Sequence, residues 1–452
     1  MTETSALLTD FYQLTMLQAY FEQGMTERAV FELLVRRMPG RRSFLMAAGL
    51  EQAIDYLEGL RFGEWELEYM AKSGRFSRDF VDRMSQLRFT GDVHAMPEGS
   101  VFFADEPILR VSAPLPEAQL VETRLINILH YQSLIASKGA RVAISAPGRL
   151  LVDFGLRRAH GAEAGVFAAR AAYIAGMSGT SNVLAGAMYG IPVYGTMAHS
   201  FIEAHEDEES AFVAFARSHP GNVALLLDTY DTEAAARKVV SLAPKLTQSG
   251  ITIRAVRLNS GNHAQHARAV RLILNDGGLP DVRIFASGGL DEHDVAALLA
   301  ASVPIDGFGV GTRLVTSSDV PALDCAYKLM EYAGRPRHKR SEEKATWPGA
   351  KQVYRKMGTG GLMLHDTIAL AREAWPDDSA LLVPVMAGGK RVSSPPTLAE
   401  IRQHAQGQLQ ALPEPLRTLG RTHAYSVKIS HGLLNLAKEL FAGAPLPSGA
   451  KE

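Results

Sequence analysis

Phe285-Ala286-Ser287-Gly288-Gly289-Leu290 and Gly307-Phe308-Gly309-Val310-Gly311-Thr312 are two apolar runs that each break into glycine, with one helical span between them. A continuous apolar run reads as a strand buried on both faces, the pattern of a parallel sheet. Glycine at the strand end lets backbone N–H groups approach a phosphate, and the following helix adds the positive end of its dipole. Paired late loops of this kind form the phosphate site of many α/β barrels. Upstream, further strands are predicted at 150–154, 191–194, 223–228, 251–258 and 282–286. Helical spans are predicted at 163–176, 207–217, 232–243, 263–276, 291–301 and 319–333. Such alternation predicts a parallel sheet, and the two glycine loops favour a barrel over an open sheet.

The chain before about residue 139 reads differently. A helix is predicted over 8–23, a strand over 29–36 and helices over 47–59 and 64–74. Short β-rich runs then alternate with the turn signals Pro97-Glu98-Gly99 and Asp105-Glu106-Pro107, before a long helix over 116–137. Residues 334–352 carry mixed charge without an apolar face and read as a surface connection. The expected organisation is α/β. An N-terminal α+β domain (1–138) is followed by an α/β barrel domain (139–333). A C-terminal segment (334–452) packs back on the first domain, and its last residues, 442–452, fray.

With 452 residues, 46% hydrophobic and 21% charged, the chain has the composition of a globular protein with a large core. A net charge of -1 provides no bulk field for nucleic acid or a membrane surface. The single cysteine, Cys325, excludes an internal disulfide and a Cys-rich metal site. No run is long and apolar enough to cross a bilayer, and Met1 to Asp10 bears acids rather than a signal pattern. A cytoplasmic location is expected.

Loop residues after the strands of such a sheet converge on one crevice. In order they supply Asp153 to Arg158, Gly179-Thr180-Ser181-Asn182, His199, Asp228 to Asp231, Arg257 to Asn262, Ser287-Gly288-Gly289 and Gly309 to Thr312. Arginine forks, hydroxyls and glycine amides suit a phosphorylated, polyanionic ligand. Thr180, Ser181, Asn182 and Asp228 are candidate substrate contacts. No His or carboxylate cluster has metal-ligand spacing, and the metal ligands are left unassigned. The acidic run His205-Glu206-Asp207-Glu208-Glu209 reads as a solvated helix start.

These motifs, taken in sequence, are similar to one family. Leu8-Thr9-Asp10-Phe11-Tyr12-Gln13-Leu14-Thr15-Met16, Phe154-Gly155-Leu156-Arg157-Arg158, Gly179 to Gly186, Gly195-Thr196-Met197-Ala198-His199-Ser200, Leu227 to Thr232 and the two glycine loops together resemble nicotinate phosphoribosyltransferase, a type II phosphoribosyltransferase. The resemblance spans about residues 1 to 440. It implies an irregular (β/α) barrel joined to an N-terminal α+β domain, and a homodimer whose sites are shared. It implies that nicotinate is joined to phosphoribosyl pyrophosphate to give nicotinate mononucleotide and pyrophosphate, in NAD biosynthesis. ATP hydrolysis would be coupled through a phosphorylated histidine, at His199, with Mg²⁺ on the leaving pyrophosphate. Tyr12, from the neighbouring subunit, and Phe154 would sandwich the pyridine ring. Arg157 and Arg257 would hold anionic groups. Ser287, Gly288, Gly289, Gly309, Gly311 and Thr312 would cradle the 5-phosphate.

One departure stands out. The family usually reads Arg-Leu-Asp-Ser-Gly-Asp where this chain has Arg257-Leu258-Asn259-Ser260-Gly261-Asn262. The aspartates are expected to contact ribose hydroxyls or the metal, so Asn259 enters the candidate catalytic set with His199 and Arg257. Asparagine still hydrogen-bonds hydroxyls but brings no charge. Two alternatives follow: a type II enzyme for another pyridine acceptor, nicotinamide or quinolinate, and a phosphosugar binder without turnover.

Overall fold

The computed structural model describes residues 5–339, 346–420, 424–441 and 446–447. Most of the expected frayed end, part of the expected connection (340–345) and residues 1–4 lie outside the described residues. The chain divides into two units, Lys138–Pro321 and Met1–Ser137 with Ala322–Glu452.

The first of these carries the alternating pattern. Its strands are β1 (Leu150–Asp153), β2 (Gly179–Thr180), β3 (Val223–Leu226), β4 (Ile253–Leu258), β5 (Arg283–Ala286) and β6 (Gly307–Val310). They lie in the order β2-β1-β6-β5-β4-β3, and every pairing is parallel. Read around a circle this is barrel order, with one junction, β2 to β3, not hydrogen-bonded. The sheet is thus a curled half-barrel, as the irregular barrel reading expects. Register fixes which residues share a level: Asp153 pairs with both Thr180 and Val310, and Ala286 with both Phe308 and Leu258. Between the strands, helices begin on Asn182, Asp207, Asp231, Asn262 and Asp291. Each accepts a backbone N–H on its side-chain oxygen and satisfies an otherwise orphaned donor.

The open junction overturns one expectation. Residues 191–194 do not form a buried strand. Only Val193 bridges to Thr180, and Val193 itself is half exposed. Pro192 has no N–H to donate to a ladder, so the segment stays tied by Thr180 N–H to Pro192 O (3.0 Å) and Tyr194 N–H to Thr180 O (2.9 Å).

The other unit is built on a seven-stranded antiparallel sheet with Arg28–Val35 near its middle, between Cys325–Tyr332 and Pro107–Pro114. Cys325–Tyr332 corrects the helix expected over 319–333. Lys328, Leu329, Met330 and Glu331 are good helix formers. The strand Arg28–Val35, buried along nearly its whole length, needs a partner on this side, and tertiary pairing outweighs propensity. Tyr327 stacks on Phe31 there, ring centroids 4.9 Å apart. The expected connection 334–352 is also part strand: Arg335–Pro336 joins this sheet, and Lys351–Met357 forms a hairpin with Met363–Leu370. Charge misled the reading, because Lys351 is buried against Glu32 rather than solvated; further along the same strand Arg355 is buried against Asp366.

Among the described residues no helix is long and apolar enough to cross a membrane, and no three His, Cys, Asp or Glu side chains group as metal ligands.

Candidate active site

The turn after β1 sets one wall. Asp153 is buried and its carboxylate accepts Gly155 N–H (2.8 Å) and Thr180 Oγ1 (2.8 Å). Burial pushes the Asp153 carboxyl up, and these two donors offset part of the rise. The hydrogen bonds pin the 3-10 turn Leu156–Arg158, leaving Arg157 exposed, and place the half-buried Phe154 ring 5.9 Å from Phe285.

The Arg257 guanidinium lies over Phe154, 5.5 Å from the ring centroid. Its Nε donates to Ser287 Oγ (2.9 Å), Nη1 to Thr196 Oγ1 (3.2 Å) and Met197 O (3.3 Å), and Nη2 to Asn259 Oδ1 (2.9 Å). Every acceptor is neutral. Among the described residues no carboxylate forms a direct ion pair with Arg257. Burial pushes its pKa down and the nearby Arg157 charge adds to this, while Asp228 pulls the other way. A fixed, partly desolvated guanidinium with a second one nearby is an anion site.

Asn259 is held from both sides. Its oxygen also accepts from Ser287 Oγ (3.0 Å), and its backbone N–H donates to Asp228 Oδ2 (3.1 Å). Ser260 Oγ donates to that same Asp228 oxygen. The other oxygen, Oδ1, is buried without a partner among the described residues. Asn262 does not join this group. Its side chain caps the helix His263–Asp276 through Gln265 N–H (3.2 Å).

The glycine loops follow β5 and β6. Gly288 has φ +96° and Gly289 φ +71°, and a Cβ at Gly288 would lie 1.8 Å from Asn259 O. No side chain fits there. Among the described residues the amides of Gly288, Gly289 and Gly311 have no acceptor, and Thr312 opens the helix Thr312–Val315. Gly309 lies under the Phe154 and Phe285 rings, where its Cβ would come within 2.5 Å. The Ser287 hydroxyl is taken up by Arg257 and Asn259, so this loop offers amides rather than that hydroxyl. Asp291 caps the next helix and pairs with Arg313 of the second loop at 2.5 Å, tying the two loops together.

His199 opens a short helix, His199–Glu203, with Nδ1 3.1 Å from Thr229 Oγ1 and no partner for Nε2 among the described residues. If Nδ1–H donates to Thr229, Nε2 carries the lone pair of a nucleophile. Thr180 and Asn182 spend their side chains on structure: Thr180 on Asp153, and Asn182 on the cap of Val183–Tyr189 and on Gly165 O. Ser181 Oγ has no partner among the described residues. Tyr12 belongs to the other unit and is half exposed at the start of Phe11–Glu22. The acidic run at 205–209 is a helix start as expected, Asp207 Oδ1 accepting Ser210 N–H at 2.7 Å, but Glu208 is buried against Lys238 (2.8 Å) rather than solvated. Sequence reasoning assigned no role to Thr229, Thr196, Asp291 or Arg313. Only Asp291-Glu292-His293-Asp294 carried a signal, its Asp-x-x-Asp spacing being that of a capping box.

Amides without acceptors at two strand ends, beside a guanidinium held by neutral acceptors, are features of an α/β enzyme suited to a phosphorylated ligand at one rim of its strand ring. Comparison with known proteins makes the class specific. Family models match in three consecutive stretches. Residues 7–130 match the nicotinate phosphoribosyltransferase (NAPRTase) N-terminal domain, 150–336 the NAPRTase family and 378–437 the nicotinate phosphoribosyltransferase C-terminal domain. The chain is 50% identical to nicotinate phosphoribosyltransferase pncB2 of Mycobacterium tuberculosis, covering 94% of this chain and 91% of that one. It is 32% identical to nicotinate phosphoribosyltransferase of Homo sapiens over 97% of both. The crystal structure of human nicotinic acid phosphoribosyltransferase superposes with a TM-score of 0.85 at 30% identity, covering 96% of this chain and 99% of that one. Nicotinate-nucleotide pyrophosphorylase from Pyrococcus furiosus follows at 0.74 and 28%, covering 90% and 96%. The chain belongs to the nicotinate phosphoribosyltransferase family of enzymes.

Proposed function

We propose that the chain transfers the phosphoribosyl group of phosphoribosyl pyrophosphate to nicotinate, releasing pyrophosphate, and couples this step to ATP through His199. The observation that carries the reading is Arg257, held by neutral acceptors over Phe154 beside two loops of amides without acceptors. The 5-phosphate sits on the amides of Gly288, Gly289 and Gly311. Arg257 and Arg157 hold the carboxylate and the departing diphosphate. As the bond from ribose C1 to the diphosphate breaks, C1 becomes oxocarbenium-like and the pyridine nitrogen attacks it. Positioning and charge stabilisation supply most of the rate.

ATP gives its terminal phosphoryl group to His199 Nε2, and ADP leaves. The resulting charge biases the loop around His199 toward the arrangement that grips the diphosphate. Water then breaks the N–P bond, releasing inorganic phosphate and restoring the imidazole. Mg²⁺ fits here as an ion carried mainly by substrate phosphates, because no protein cage is needed and Asp228 Oδ1 is a buried oxygen without a partner. Asp228 would hold it, and its role is to neutralise the leaving group.

The enzyme works in the cytoplasm as a homodimer. Val183, Leu184 and Met188 of one unit and Phe11 and Tyr12 of the other are large exposed apolar side chains for a second copy to cover. In that assembly Tyr12 of each copy stacks on the pyridine held by its partner. The test is product analysis with nicotinate, nicotinamide and quinolinate, each with and without ATP. Nicotinate mononucleotide alone, formed faster with ATP, is the expected result. Turnover of another pyridine would shift the acceptor. Tight binding of phosphoribosyl pyrophosphate without any product would leave only a phosphosugar binder.

A further inference from the structure

The strand ring of the unit Lys138–Pro321 is hollow. Barrels of this kind are normally filled by layers of large branched side chains. Here the middle level of the wall carries Ala224 and Ala255, neighbours in register, and a cavity of 1220 Å³ runs along it. That exceeds the roughly 300–1,000 Å³ typical of a pocket for a drug-sized ligand. The cavity runs from Phe154, Thr196 and Arg257, at the carboxyl ends of the strands, to Arg149, Asn222 and Arg283, at their amino ends. Val152, Ile253 and Phe285 line the length between.

The far rim is cationic. Arg149, Arg254 and Arg283 are exposed there, and among the described residues none of their guanidiniums has a hydrogen-bond or ion-pair partner. Arg271 stands beside them with its guanidinium on Pro280 O and Val282 O. Two acids share the rim, Asp281 and Asp306, and one oxygen of Asp306 is taken by Ile284 N–H at 2.8 Å. Four arginines against two aspartates leave a surplus of positive charge at the mouth of an apolar passage.

We propose that this bore is a second access route to the catalytic rim, used by a flat aromatic monocarboxylate. The inference rests on the proposed transfer to nicotinate. A sugar diphosphate on the glycine loops and Arg257 obstructs the near rim, whereas the acceptor nitrogen must approach C1 from the face opposite the leaving group. The far-rim arginines draw in the carboxylate, and the apolar middle level accepts the ring.

The test measures nicotinate loading by rapid-mixing pulse–chase on the full chain already saturated with phosphoribosyl pyrophosphate. Ala255→Phe, which plugs the middle level, should slow loading by about tenfold or more, while nicotinate reaches the sugar-free enzyme at the unsubstituted rate. Arg149→Ala with Arg283→Ala should lower kcat/KM for nicotinate by about tenfold at low salt, a loss that shrinks at high salt, with kcat at saturating nicotinate unchanged. If Ala255→Phe does not fold, the surface pair decides alone. Loading at the unsubstituted rate in every folded variant overturns the route and leaves the proposed reaction standing. An unsubstituted chain that makes no nicotinate mononucleotide removes both.

Discussion

Arg257 Nη2 donates to the Asn259 carboxamide oxygen at 2.9 Å, so a neutral group positions the guanidinium without cancelling its charge. A carboxylate at 259 would form an ion pair there and compete with the substrate's anionic groups. Asn259→Asp is therefore expected to raise KM for phosphoribosyl pyrophosphate by about tenfold, equivalent to about 1.4 kcal/mol. Steady-state kinetics with varied sugar diphosphate checks this. A KM at or below the original would show that the charge on Arg257 does not set affinity.

The contact from Thr229 Oγ1 to His199 Nδ1 orients the imidazole. Thr229→Val removes it at a cost of about 1 kcal/mol and should slow acid-labile labelling from ATP by about fivefold. His199→Ala should abolish the label. Labelling of Thr229→Val at the original rate would leave the ring orientation to other contacts.

Asn262 acts as a helix cap. Asn262→Asp should leave stability and both KM values unchanged, since aspartate caps as well as asparagine, whereas Asn262→Ala should cost about 1 kcal/mol of stability. Denaturant melts and kinetics on the pair separate capping from substrate contact. A KM change in Asn262→Asp would place the residue in the site.

Beneath the first glycine loop, Glu292 is fully buried between Lys138 (2.6 Å) and Arg141 (2.9 Å). Burial alone would raise its pKa, but Lys138 and then Arg141 outweigh that and hold it below the usual carboxylate range. A depressed acid stabilises the fold above its unfolded pKa, and that stability is lost as pH falls through the lower folded value. Glu292→Gln, which leaves Lys138 to Asp319 (2.9 Å) and takes the carboxylate from Arg141, should cost about 2–3 kcal/mol at neutral pH and less in acid. Thermal melts at both pH values test it. An equal loss at each would exclude ionisation as the cause.

Asp105 has the opposite sign. Burial outweighs the Arg36 charge and, with a smaller push from Asp324, raises its carboxyl to about 6. Its stabilising contribution is present below the unfolded pKa and lost as pH rises through about 6, so the ionised group weakens the fold at pH 7. Its φ of +66° is one that asparagine accepts. Asp105→Asn should raise stability by about 1–2 kcal/mol at pH 7 and little near pH 4. A Tm gain of the same size at pH 4 would point to the backbone instead.

The ring of strands was legible because buried parallel strands leave unbroken apolar runs, and β6 appears at its expected bounds, Gly307–Val310. The glycine loops were legible because only glycine tolerates their backbone. Cys325–Tyr332 was not, since its residues favour a helix and its strand state depends on a partner nearly three hundred positions earlier in the chain. The hairpin at Lys351 was hidden because buried ion pairs look like solvated charge in one dimension. In the site, residue types at strand ends could be read in order, but hydrogen-bond allegiance could not. Nothing in the letters separates Asn259, which grips Arg257, from Asn262, which caps a helix.

The unclosed β2–β3 junction bears on how a phosphate could be felt by this ring. At Pro192 and Tyr194, seven and five residues before His199, two backbone hydrogen bonds moor the chain to β2, one on each side of Val193. A stave locked on both edges would have to shed a whole ladder before it could swing. This one is held by those two bonds and by Arg257 at Thr196 and Met197, so a charge added at the imidazole would have few bonds to exchange and could leave the other strands standing.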